Sequence, residues 1–433
     1  MGAHSPTTTG TGAWTRMMLI GLAASLLALP SAAAATTGGP VAPTTHTADP
    51  AGVRGYWTAA RMRSAAPLQG GEPTTRGSTT AAAAVQPGLD REQIPDPSAD
   101  PYSSHGKVFL TITGGDAPGD YVCSGTAIAA PPSAAATAEG VVWTAGHCVY
   151  DTGGGYASNW MFVPGYEDGA APFGEWPATG LLALERWSRD GNLASDLGAA
   201  VVGPDPQGRS LPELVGGRGI AFDQPRAQLY SSFGYPALAP PIEFDGERLF
   251  SCTSVGGLSD NPPGPGPQTL SIPCDMTAGS SGGGWVADGS LLSVNSYSYC
   301  DEGSCEPVLY GPYHGDQAQA LYESVAPAAE FCGGRQVTIA GGPGSDNLVG
   351  TSGPDVFKAR AGDDRIAGKG GNDTACGGGG DDVLLGKGGN DSLYGNQGTD
   401  TLRAGPGDDA CEGGSGKDRA KGCETVSGAS DAG

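Results

Sequence analysis

Apolar and polar positions divide this chain into stretches of different character. Residues 17–29 are short and mostly apolar, with Arg16 before them and Ala33, Ala34 and Ala35 closing the run. A positive charge, a brief apolar run and small residues predict a cleavable export signal over 1–35. Such a run is too short to cross a bilayer, which takes about 20 residues, so no transmembrane segment is expected. Residues 36–100 are rich in Ala, Thr, Pro and Gly and poor in large apolar side chains. That pattern predicts a pro-region or disordered linker, because little apolar surface is available to offset ordering entropy. Order is expected to resume at 107–112, where β-branched and aromatic residues predominate. Residues 126–129, 140–143, 198–202 and 291–297 are further short apolar runs bounded by Gly, Pro and Ser. Without a helical period they predict an all-β sandwich or barrel. The proline-rich stretch 260–267 is expected in a surface loop, since Pro cannot donate to a sheet.

The pattern changes at Gly341. Residues 341–421 fall into nine consecutive nonapeptides, each with Gly at position 4 and Asp at position 6. Position 8 carries Leu348, Phe357, Ile366, Leu384, Leu393 and Leu402, with Ala375, Cys411 and Ala420 filling it less well. This register resembles the calcium-binding nonapeptide repeat of RTX proteins. The resemblance implies a parallel β-roll with two nonapeptides per coil, ions between coils and position 8 as an inward column. Position 6 supplies one hard carboxylate per turn, suited to Ca²⁺ with oxygen ligands at about 2.3–2.6 Å. Asp364, Asp373, Asp382, Asp391 and Asp400 are the expected metal ligands, and Pro354 marks a departure in the second repeat. Without calcium the tail is expected to be unfolded, because the carboxylates repel one another.

Composition narrows the function. A chain of 433 residues suggests two domains besides processed segments. Ten cysteines fit an oxidising, extracellular destination. The net charge is −23, of which the repeats, with 13 acidic and 9 basic residues, contribute −4. An acidic body excludes nucleic-acid binding, which needs a basic footprint.

Three short motifs carry the chemistry. Thr144-Ala145-Gly146-His147-Cys148, then Asp196 ahead of an apolar run, then Thr277-Ala278-Gly279-Ser280-Ser281-Gly282-Gly283-Gly284 follow in that order. They resemble the base, acid and nucleophile segments of chymotrypsin-like serine peptidases, whose chain order is His, Asp, Ser. A serine hydroxyl needs a neighbour to take its proton. The resemblance makes Ser281 the nucleophile, His147 the base and Asp196 the acid that fixes the imidazole, with no catalytic cofactor. Gly279 and Ser281 would supply the oxyanion-hole N–H groups. Rivals are Ser280 for the nucleophile and Asp151, Asp190 and Asp205 for the acid. Ser280 stands where trypsin-like zymogens hold an Asp, so that activation switch is not expected. The nucleophile loop is closer to the bacterial V8-like glutamyl-endopeptidase branch.

The same resemblance implies a double β-barrel over 101–333 closed by a helix near 318–325, and a Cys123–Cys148 disulfide beside the base. Cys252 with Cys274, Cys300 with Cys305 and Cys411 with Cys423 are further candidate pairs, which leaves Cys332 and Cys376. Substrate contacts fall to Asp275, six residues before Ser281, and to Thr277, Asn295 and Ser296; neither a basic nor an acidic preference is supported. The expected architecture is therefore all-β: a chymotrypsin-like double barrel, then the β-roll over 341–421 and a tail over 422–433. The expected function is a secreted, extracellular serine endopeptidase acting on proteins or peptides, with calcium ions and a cell surface as further partners. The alternatives are a catalytically inactive peptidase fold that binds or adheres, and a secreted esterase.

Overall fold

The computed structural model describes residues 49–70, 91–129, 139–238, 244–256, 258–301, 304–325, 330–342, 344–428 and 430–431. The expected export signal over 1–35 lies outside them. Among the described residues, no helix is long and apolar enough to cross a membrane.

The first barrel is a sheet in the order Ala66–Pro67, Gly119–Ile128, His105–Ile112, Ser158–Pro164, Trp176–Ala183, Gly198–Val202 and Gly140–Thr144. Pairing of Gly140–Thr144 with Gly119–Ile128 closes it. The strands are apolar on both faces where a helix or the second barrel covers them, so Val108, Phe109, Leu110, Phe162 and Val163 are all buried. The second barrel contains Gly219–Ile220, Ser290–Val294, Gly284–Ala287, Leu229–Gly234, Phe250–Val255 and Arg91–Gln93 in one sheet. A three-stranded sheet of Leu258–Asp260, Thr269–Pro273 and Val308–Gly311 adds to it. The helix Asp316–Val325 follows, with Ala318, Leu321 and Tyr322 facing the core.

Residues 36–100 correct the expectation of a disordered linker wherever they are described. Pro50–Tyr56 and Ala59–Ser64 are short helices started by clear caps. Asp49 accepts the N–H groups of Ala51 and Gly52, and Thr58 that of Arg61. Val53, Trp57 and Met62 join the barrel core. Arg91–Gln93 pairs with Phe250–Val255, so the second barrel begins before residue 101.

The C-terminal part is a parallel β-roll of two six-stranded sheets. Its register steps by two nonapeptides: Val356 pairs with Thr374, Thr374 with Ser392 and Ser392 with Ala410. Position 8 forms the inner column as expected, from Phe357 and Ile366 through Leu384, Leu393 and Leu402 to Ala420. Ala375 and Cys411 are also buried within it. All ten cysteines are paired: Cys123–Cys148, Cys252–Cys274, Cys300–Cys305, Cys332–Cys376 and Cys411–Cys423. The Cys332–Cys376 bond joins the end of the barrel region to the fourth nonapeptide. Asn372 also reaches across to Asp288 at 2.8 Å.

Candidate active site and calcium-binding roll

His147 sits in a single helical turn, Gly146–Cys148, directly after the strand Gly140–Thr144. The Cys123–Cys148 disulfide ties that turn to the neighbouring strand Gly119–Ile128. A side chain on Gly146 would press on the Trp187 ring and on the Asp196 carboxylate, which explains the glycine. Asp196 is fully buried just before the strand Gly198–Val202. Its Oδ1 accepts the backbone N–H of His147 at 2.8 Å, and its Oδ2 lies 2.8 Å from His147 Nδ1. Ser296 Oγ donates to the same Oδ2 at 2.5 Å. A carboxylate at Nδ1 requires the proton there, which leaves Nε2 as the free lone pair. Nε2 is buried with no partner among the described residues.

Ser281 lies on the turn before Gly284–Ala287 and is nearly buried. Gly279 precedes it with φ +94°, and a Cβ there would lie 2.7 Å from Tyr235 O. Gly282 follows with φ +81°, where a side chain would collide with Thr144 Oγ1 and the Ser124 carbonyl. Gly282 is needed because this loop of the second barrel lies against the first, and Gly279 because it lies against Tyr235 and Ala237 of its own barrel. Ser124 N–H donates to Ser281 O at 2.7 Å, and Ser124 Oγ to Gly279 O at 2.9 Å. The N–H groups of Ser280, Gly282 and Gly283 are bound to Thr277, Asn295 and Ser280 carbonyls. Those of Gly279 and Ser281 donate to no described acceptor. Ser281 Oγ makes no hydrogen bond to His147 Nε2 and instead points at the carbonyl of Leu68, 3.5 Å away.

The rivals are engaged elsewhere. Ser280 Oγ donates to Thr277 O at 2.7 Å. Asp151 accepts the Gly153 N–H, Asp190 pairs with Arg189, and Asp205 pairs with Arg209. His105 stacks on Phe233, and burial pushes its imidazole pKa well below the usual value. His314 accepts from Trp143 Nε1 at 3.1 Å, and burial lowers its pKa to about 3.

The four residues expected to touch substrate separate in the structure. Ser296 is at the site, bonded to Asp196. Asn295 is buried and fully engaged: its amide oxygen accepts from Ser232 and Trp285, and its nitrogen donates to Phe233 and Ser280 carbonyls. Its side chain therefore braces the Ser281 loop rather than facing a ligand. Thr277 Oγ1 is spent on the backbone of Leu238. Asp275 forms an ion pair with Arg91 of the early strand, a partner the sequence reading did not foresee.

The roll has a different polar arrangement. From Asp364 on, each position-6 aspartate uses Oδ1 to accept the N–H of the equivalent residue one coil earlier. Asp364, Asp382 and Asp400 do so for Asp346, Asp364 and Asp382 at 2.7–2.9 Å. Asp373, Asp391 and Asp409 do the same for Asp355, Asp373 and Asp391. The other oxygen, Oδ2, is buried without a hydrogen-bond partner in Asp364, Asp373, Asp382, Asp391, Asp400 and Asp409. Glycine makes the space: a side chain on Gly368, Gly377, Gly386 or Gly395 would run into the Oδ2 of Asp373, Asp382, Asp391 or Asp400. Burial first, then neighbouring carboxylates, raises Asp373 to about 7 and Asp382 and Asp391 to about 6.

The first two repeats differ. Asp346 Oδ2 accepts the Gly342 N–H, and Asp355 Oδ2 accepts the N–H and hydroxyl of Thr351. From the third repeat on, position 2 takes positive φ, at Arg360, Lys369, Gly378, Lys387, Asn396 and Gly405. That turn withdraws the position-2 N–H from the carboxylate four residues later. Buried, unpartnered carboxylate oxygens in glycine-cleared spaces fit a hard divalent cation.

Two barrels with this seam, followed by the roll, define a chymotrypsin-like serine protease fold with an added calcium-binding module. The family model for the RTX calcium-binding nonapeptide repeat matches residues 340–375, 377–411 and 385–420. No curated protein matches the chain. Among solved structures, the protease Anisep from Arthrobacter nicotinovorans is 39% identical over 53% of this chain and 99% of its own, with a TM-score of 0.45. The thermostable serine protease AL20 from an extremophilic microorganism is 37% identical over 52% of this chain and 98% of its own, with a TM-score of 0.45. A Glu endopeptidase is 19% identical over 55% of this chain and 96% of its own, with a TM-score of 0.40. On its identity along almost the whole of Anisep and AL20, this chain belongs to their serine protease family.

Proposed function

We propose that this protein is an exported serine endopeptidase that cuts peptide bonds through an acyl-enzyme on Ser281. The observation that carries the reading is the His147 imidazole, fixed through Nδ1 by the buried Asp196, with Nε2 unpartnered, on a turn whose Cys148 Sγ lies 3.6 Å from Ser281 O. In the reaction Ser281 Oγ attacks the scissile carbonyl carbon and its proton passes to Nε2. Asp196 stabilises the imidazolium, and Ser296 holds Asp196 in place. The unengaged N–H groups of Gly279 and Ser281 receive the oxyanion; one such donor is worth about 2.7–4 kcal/mol in the transition state. His147 then protonates the leaving amine, and water reverses the sequence to free Ser281.

Arg91 pairs with Asp275 Oδ2 and so offsets the charge that a Lys or Arg side chain would need, which disfavours a basic preference, although Oδ1 has no partner among the described residues. Asp364, Asp373, Asp382, Asp391 and Asp400 hold calcium, and Asp409, which the sequence reading omitted, joins them. Bound calcium supplies the positive charge that these buried oxygens lack. Five disulfides and an ion-dependent module suit an extracellular setting.

A fluorophosphonate probe tests the central assignment. Labelling that maps to Ser281 and disappears in Ser281→Ala supports it, and casein hydrolysis separates an endopeptidase from an esterase. A probe that reacts with no serine of the activated protein leaves only the inactive, binding reading.

A further inference from the structure

We propose that residues 66–70 plug the active-site cleft and that the chain in this form is latent; the inference rests on Ser281 and His147 being the reacting pair. Ala66 and Pro67 pair in parallel with Tyr121 and Val122, and the Leu68 N–H donates to Val122 O at 3.0 Å. Tyr121 and Val122 directly precede Cys123, whose disulfide holds the His147 turn. The chain then crosses the site. Leu68 O is the acceptor for Ser281 Oγ. Gly70 lies so close that a Cβ on it would collide with Ser296 O and sit 3.0 Å from His147 Cε1. The nucleophile, the base and the residue that steadies the acid are all covered by three consecutive residues of the same chain.

The plug is anchored from outside the cleft. Its two preceding helices bury Val53, Trp57 and Met62 in the barrel core. Trp57 Nε1 donates to Asn159 O, and Arg54 donates to Glu175 O. Tyr56 and Arg61 share the carboxylate of Asp120, at 2.7 and 3.0 Å. These contacts hold the segment in place before it reaches Ser281, so little further ordering is needed there.

The pose is not that of a substrate. Attack needs Oγ close to a carbonyl carbon with the oxygen aimed at the oxyanion donors. Here Oγ meets the carbonyl oxygen, which places the carbon farther away, and the N–H groups of Gly279 and Ser281 donate to no described acceptor. Ser281 is drawn toward Leu68 O and makes no bond to Nε2 of His147. The segment therefore blocks the site without presenting a bond to cut.

The test compares full chains: wild type, Gly70→Val, which cannot fit beneath Ser296, and Leu68→Pro, which lacks the N–H given to Val122. Fluorophosphonate labelling of Ser281 is expected to be at least about tenfold faster in both variants, in proportion to the open fraction. Equal labelling rates in wild type and both variants overturn the plug and leave the catalytic assignment standing. No labelling of any form overturns the catalytic assignment, and the plug falls with it.

Discussion

Asp196 of the barrels and Asp391 of the roll are both almost completely buried, yet they are treated in opposite ways. Asp196 has a donor on each oxygen: the His147 backbone and ring, and Ser296. Asp391 has a donor on one oxygen and none on the other. A buried carboxylate is tolerated when hydrogen bonds replace its water, and is costly when they do not. The barrels therefore finish their polar site on folding, from residues far apart in sequence. The roll repeats one unfinished unit and leaves completion to a cation. The first site has its carboxylate satisfied by the protein alone; the second leaves carboxylate oxygens open for an ion.

The largest expected effects break the barrel side of this comparison. Ser281→Ala should reduce kcat/KM by about 10⁶-fold, and Asp196→Asn by about 10⁴-fold, because the amide favours the wrong imidazole tautomer. Peptide hydrolysis by Gly70→Val as parent, with each substitution added, measures both. Thermal melts would show that neither change unfolds the barrels.

Next comes the dependence on the ion. Chelation should abolish the β signal of the roll in circular dichroism, and millimolar calcium should restore it. Peptide hydrolysis by the Gly70→Val chain should fall far less, since none of the roll aspartates touches the Ser281 loop. Equal loss of both would show that the two parts do not complete their sites separately.

Acidity sharpens the same contrast. Asp373, Asp382 and Asp391 are raised from 3.8 to about 7, 6 and 6 in the metal-free fold. Between these values the folded roll binds more protons than the unfolded chain. Its metal-free stability is therefore full below about pH 4 and is lost as pH rises through 6–7. Calcium uptake must displace those protons, so apparent affinity should rise with pH and level off above about 7. Calorimetry in buffers of different ionisation heats would detect the released protons.

How much of this was visible in the letters differs between the two parts. In the roll, a fixed period placed every Asp and every column residue, because one coil repeats the last. Position 6 alone did not reveal that Asp346 and Asp355 are capped by Gly342 and Thr351, since that depends on the backbone turn at position 2. In the barrels, His147, Asp196 and Ser281 stood out through their neighbours. Asn295 did not reveal its bracing role, and Arg91 did not reveal its ion pair, because both depend on distant strands. The helices before the plug are masked by an Ala- and Thr-rich background. Asp49-Pro50 and Thr58 were the capping signals, with Val53 and Trp57 four residues apart on one face.

A small effect should come from backbone strain in the roll. Lys387 has φ +86°, a region that glycine enters without penalty. Lys387→Gly should raise roll stability by about 1 kcal/mol with calcium bound, as read from chelator titration.

Acyl-enzyme trapping addresses the account most directly. The Gly70→Val chain is mixed with a slowly deacylating ester, quenched in acid, digested and weighed by mass spectrometry. The account predicts one acyl group, carried on the peptide containing Ser281 and absent after Asp196→Asn over the same interval. An acyl group on Ser280, or on no serine at all, would contradict it.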